Sequence, residues 1–187
     1  MADKARVAIL ISGRGSNMKA LIDAKQDVYR IALVASNNPE APGLAYAKQH
    51  GIATWAQSHQ GLARPDFDRR LDAALRGHDA EVIALAGYMR LLSPAFIADW
   101  EGRILNIHPS LLPLYKGLDT HARALAAGDT VHGCSVHIVT ADLDAGPVIA
   151  RAQVPVLSGD TPESLAKRVL AEEHRLYPKA LSDWVKA

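Results

Sequence analysis

Short, unbroken apolar runs set between helical stretches constrain this chain more than any other feature. Val7–Ile11, Ile31–Ala35 and Val82–Ala86 are apolar without alternation, the mark of strands buried on both faces of a sheet. After the first run, Met18, Leu21 and Ile22 recur with helical spacing. Helices are expected from Pro42 to His50 and from Pro65 to Arg76, the second with proline in its first turn. A short strand Ile52–Trp55 and a helix opened by Ser93-Pro94 precede a further buried strand at Gly102–Leu105. The order β-α-β-α-β-α-β-α-β predicts right-handed crossovers and a mostly parallel, twisted sheet.

The pattern then changes. His132–Val139 and Val148–Val156 read as strands joined by a link too short for a helical crossover, so the two are expected to be antiparallel. Thr161-Pro162-Glu163-Ser164 has the chemistry of a helix start, opening a helix to about Lys186 with a bend expected at Pro178. The 187 residues suit one well-buried α/β domain over 1–187.

Composition excludes several classes of function. With 21 Lys and Arg against 20 Asp and Glu, there is no electrostatic case for nucleic acid or membrane partners. The apolar run after the amino terminus is too short for a signal-peptide core or a membrane span, and a cytoplasmic location is expected. The single cysteine, Cys134, lies in an apolar strand and reads as a buried structural thiol. None of the eight histidines pairs with metal-ligand spacing, and no metal is expected. No G-x-S-x-G elbow supports a serine hydrolase.

The chemistry concentrates where strands end. Asn106 and His108 stand two apart and so share a face, while Ile107 points away. An amide can hold a developing oxyanion, and an imidazole can move a proton near neutral pH. Ser12-Gly13-Arg14-Gly15-Ser16-Asn17 joins the first strand to the first helix, where backbone N–H groups favour a phosphate. It is not a dinucleotide fingerprint, because Met18 replaces the third glycine and no acid closes the second strand. Gly87-Tyr88-Met89-Arg90-Leu91-Leu92 leaves a central strand as a solvated turn or as an apolar slot for a flat ring. Asp142 and Asp144 are either turn formers or, for a carboxylate near His108, partners that favour the imidazolium.

Taken together and in order, four motifs resemble the phosphoribosylglycinamide formyltransferase family, a group of folate-dependent formyltransferases. They are Ser12–Asn17, Leu85–Arg90, Asn106–Pro113 and Asp142–Pro147. The resemblance implies a single-domain, Rossmann-like fold and transfer of a formyl group from 10-formyltetrahydrofolate, as cosubstrate, to glycinamide ribonucleotide. It further implies that Asn106, His108 and Asp144 are catalytic and that Gly15, Ser16, Asn17 and Glu173 hold the ribonucleotide. Arg64, Met89, Arg90, Leu91, Leu92, Thr140, Ala141, Asp142 and Leu143, with Asn106 and Asp144, would form the folate pocket. A cis Leu112–Pro113 bond and a monomer or homodimer are expected on the same basis. The alternatives are a formyltetrahydrofolate hydrolase and formyl transfer to another amine.

Overall fold

β1 (Ala5–Ile11) occupies an interior place in a seven-stranded sheet, and Val7 through Ile11 have no exposed surface. The computed structural model describes residues 4–24 and 27–187; Met1 to Asp3, at the amino terminus read above, lie outside them. β2 (Tyr29–Ser36), β3 (Thr54–Ala56), β4 (Val82–Leu85) and β5 (Ile104–His108) run parallel to β1. β6 (Val131–Ile138) and β7 (Val148–Pro155) complete the order β3-β2-β1-β4-β5-β6-β7.

The period of two along β1 divides the core between two faces. Val7, Ile9 and Ile11 pack with Met18 and Leu21 of α1 (Ser16–Asp23), Leu44 and Ala47 of α2 (Gly43–Gln49), and Val169 and Leu181 of α6 (Pro162–Trp184). Ala8 and Leu10 face Phe67, Leu71 and Leu75 of α3 (Arg64–Gly77), with Phe96 of α4 (Pro94–Asp99) and Trp100 beyond it. Each fully buried side chain of this size contributes about 1.5–3 kcal/mol, which explains why every crossover helix keeps an apolar stripe.

α6 opens with the expected chemistry. Thr161 and Ser164 exchange side-chain and backbone bonds in a capping box, and Pro162 occupies the first turn. The helix runs on through Pro178 to Trp184. Its Tyr177 is fully buried, and the phenol lies 3.0 Å from the Leu85 carbonyl and 3.2 Å from that of Leu105, pinning α6 across β4 and β5.

Two details depart from the sequence reading, and a third goes beyond it. β3 begins at Thr54 rather than Ile52, because the Ile52 N–H closes the end of α2 on the Ala47 carbonyl. β5 lies further along than Gly102–Leu105: Arg103 N–H turns back to Trp100, and the strand extends through Asn106 to His108. β6 is antiparallel to β5 as well as to β7, although α5 (Thr120–Ala127) lies between β5 and β6. The pairing of His108 with Ser135 shows that residues 109–130 stay beyond the end of β5, so α5 is not a crossover.

Candidate active site

β5 delivers Asn106 and His108 to one face, where they pair across the ladder with His137 and Ser135. Ile107, between them, enters the opposite core. Asp144 comes from the β6–β7 connection in a left-handed conformation (φ 48°), which a short polar side chain tolerates. Two residues on, only glycine fits, since a Cβ on Gly146 would fall 1.8 Å from the Ile138 carbonyl.

His108 and Asp144 meet, and Asn106 is linked to them through His137. His108 Nδ1 is 3.4 Å from Asp144 Oδ2, and its Nε2–H donates to the Tyr115 carbonyl at 2.9 Å. Each ring nitrogen thus faces an oxygen acceptor. Asp144 Oδ2 also accepts from Gly117 N–H at 2.9 Å. Burial alone would raise the Asp144 pKa, but the bond to His137, the Gly117 N–H and the His108 and His137 charges bring it below the ordinary value.

His137 is the residue that the sequence reading passed over. It is buried beside the trio, with Nε2 3.5 Å from Asp144 Oδ1 and 3.2 Å from Asn106 Nδ2. Its Nδ1–H donates to the Ile138 carbonyl at 3.1 Å, so the neutral ring receives Asn106 and the charged ring binds Asp144. The available signal was its place on the strand next to β5. His137→Phe keeps most of the volume but removes both nitrogens. Turnover is expected to fall about tenfold, as one charge-assisted hydrogen bond is worth about 1.5–3 kcal/mol. Unchanged turnover would mean that Gly117 and His108 hold Asp144 unaided.

The glycine loop forms a second centre. Gly15, at φ 66° and ψ 43°, precedes α1 without a side-chain cap, leaving the first N–H groups of the helix open. Ser12 through Asn17, with Ala86, Gly87 and Met89, line a cavity of about 290 Å³. Asn17 Nδ2 donates to Glu173 Oε2 at 2.8 Å, joining α1 to α6. Asn17 Oδ1 is buried without a protein partner, a spare acceptor for a ligand hydroxyl.

Burial raises the Glu173 pKa, and the Asn17 bond offsets this only in part. A raised carboxyl pKa means that the native state binds more protons than the unfolded chain. Stability therefore falls as pH rises from the ordinary glutamate value toward the folded one. Glu173→Gln keeps the acceptor for Asn17 and should melt higher at pH 7, with the gain vanishing near pH 4. Each 1 kcal/mol corresponds to about 2–4 °C in a domain of this size. A lower melting point at pH 7 would show that the charge is stabilising.

The remaining candidates are spread around these two centres. Met89 and Leu91 are exposed, at 70% and 55%, while Leu92 is buried. Arg90 is not a freely solvated charge: its guanidinium lies over the Phe67 ring at 5.1 Å. Thr140 to Leu143 form the exposed lead into Asp144, and Arg64 stands exposed as the first residue of α3. Cys134 is fully buried and its thiol is pushed up to about 12, first by burial. Among the described residues, no helix is long and apolar enough to cross a membrane, and no cluster of three or more His, Cys, Asp or Glu could hold a metal ion.

An open α/β sheet that carries an amide, an imidazole and a carboxylate near a strand's carboxyl end has the chemistry of a doubly wound enzyme acting on an acyl-type carbon. Residues 5–181 match the family model described as formyl transferase, and the chain belongs to that family. The phosphoribosylglycinamide formyltransferase of Escherichia coli K12 is 47% identical over 180 residues, which cover 94% of this chain and 85% of that protein. The human trifunctional purine biosynthetic protein adenosine-3 is 46% identical over 182 residues, 95% of this chain, and the chain spans 18% of that protein's length. The crystal structure of phosphoribosylglycinamide formyltransferase from Brucella melitensis superimposes with a TM-score of 0.94 at 52% identity, covering 99% of this chain and 97% of that one.

Proposed function

We propose that the chain transfers the formyl group of 10-formyltetrahydrofolate to the amine of glycinamide ribonucleotide, a step of purine biosynthesis. The observation that carries this reading is the coexistence of two centres along one sheet edge. One is an amide, imidazole and carboxylate suited to acyl transfer; the other is an uncapped helix start suited to a phosphate. The names of the similar proteins support phosphoribosylglycinamide as the acceptor and formyl as the group transferred.

A neutral primary amine is itself a competent nucleophile, so no covalent enzyme intermediate is needed. Gly15, Ser16 and Asn17 hold the phosphate and Glu173 the sugar, which aims the amine at the formyl carbon. Met89 to Leu92 and Thr140 to Asp144 flank the folate ring, with Arg64 toward its tail. The new C–N bond forms as the carbonyl oxygen takes negative charge. An Asn106 N–H stabilises that charge, and so does His108 once its Nε2–H leaves the Tyr115 carbonyl. Asp144 keeps the imidazolium in place. The bond from the formyl carbon to the folate nitrogen then breaks, and the proton lost by the amine ends on that nitrogen.

The test is folate deformylation, followed by absorbance, with and without the ribonucleotide. Strict dependence on it, with one formylated product per folate released, is the expected result. Equal deformylation without it would mark a hydrolase, and silence in both would point to another acceptor.

A further inference from the structure

A chain of hydrogen bonds crosses the sheet edge beside both centres and touches neither reacting group. Ser12 follows β1, Asn37 follows β2, and Met89 lies in the segment after β4, so the three stand at the carboxyl ends of adjacent strands. Ser12 Oγ–H donates to Asn37 Oδ1 at 2.6 Å, and Ser12 Oγ in turn accepts from Met89 N–H at 2.8 Å. Ser12 N–H donates to the Gly87 carbonyl at 3.2 Å. Asn37, itself buried, continues the chain to His59 Nδ1, which lies 3.1 Å from both its Nδ2 and its backbone carbonyl, on the loop that leads to Arg64.

The direction of the bonds at Ser12 follows from what its partners can do. A hydroxyl has one proton, and here it goes to a buried amide oxygen, leaving a lone pair for Met89 N–H. Packing does not hold Met89, whose side chain is 70% exposed. The far end of its segment is tied to α3, where Asp68 Oδ2 accepts from Ser93 N–H at 2.6 Å. The near end is tied to the glycine loop by Ser12. Ser12, Gly87 and Met89 line the same cavity as Gly15 to Asn17.

We infer that Ser12 is a positioning residue that sets the spacing between the phosphate cradle and the wall at Met89, and hence between attacking amine and formyl carbon. The inference rests on the assignment of those two subsites above. A displacement of about 1 Å in such an alignment can cost about 100-fold in rate. Binding of either substrate alone does not sense the spacing; binding of both halves joined in one molecule does.

The experiment measures three affinities by calorimetry: the ribonucleotide alone, a folate lacking the formyl group alone, and a covalent adduct of the two. In Ser12→Ala, each separate affinity should change less than about threefold while the adduct weakens at least about tenfold, as expected for one lost hydrogen bond and its orphaned partner. Ser12→Thr, which restores the hydroxyl, should recover adduct binding. Ser12→Cys, close in size but a weaker partner, serves if the alanine variant does not fold. Adduct affinity that falls by no more than the product of the separate losses would overturn the inference, leaving Ser12 a purely structural residue. Wild-type protein that binds neither half would instead overturn the functional reading.

Discussion

Asn106→Ala is expected to lower turnover about 100- to 1,000-fold, the range seen when one oxyanion donor is removed. The side chain stands at the edge of the core on β5, and its Nδ2, 3.2 Å from His137 Nε2, keeps a hydrogen free for substrate. Truncation leaves the strand ladder and the core beneath Ile107 untouched, so the melting temperature should change little. His137, relieved of Asn106, still has Asp144 within 3.5 Å. The measurement is single-turnover deformylation beside a thermal melt. Turnover within about threefold of wild type, in a folded variant, would remove Asn106 from the mechanism.

Asp144→Asn is expected to cost about 100- to 10,000-fold in turnover, the span of general acid–base effects. An amide in that position is neutral and offers only one oxygen. It cannot serve Gly117, His108 and His137 together as the carboxylate does. The pH dependence carries its own sign. Because the folded Asp144 pKa lies below the ordinary value of about 3.9, the stability from its charged form is present above that value. It is lost only as pH falls through the lower, folded value. Wild-type activity should therefore show no loss through Asp144 until below about pH 4. A carboxylate whose protonation already limits the rate at pH 5–6 would contradict this placement.

The sequence was most readable where period and burial coincide. β1, β2 and β4 are apolar on both faces because both faces carry helices, and a run such as Val7–Ile11 needs no tertiary information. Asn106 and His108 were legible because strand period two puts both in one place. Asp144 was not separable from Asp142 by residue type, since both occupy a turn; geometry chooses Asp144 through its bonds to Gly117 and the two imidazoles. His137 escaped because its role arises from β6 pairing with β5. The antiparallel sense of that pairing depends on where residues 109–130 travel, which local propensity does not encode. The Ser12–Asn37–His59 chain escaped for the same reason, since its links span 25 and 22 residues.

The bond between Asn17 and Glu173 joins residues 156 apart, whereas Asn106, His108, His137 and Asp144 come from a single stretch of chain. During synthesis the second group can approach one another before the last helix exists, but the floor of the phosphate cradle cannot. Its completion waits for α6 to dock on β4 and β5 through Tyr177. Under the proposed function, the order of emergence from the ribosome thus places substrate capture after the strands of the candidate active site. On the proposed reading, a nascent chain that has paired β5 with β6 has the reacting groups and as yet no complete means of holding the nucleotide on which they would act.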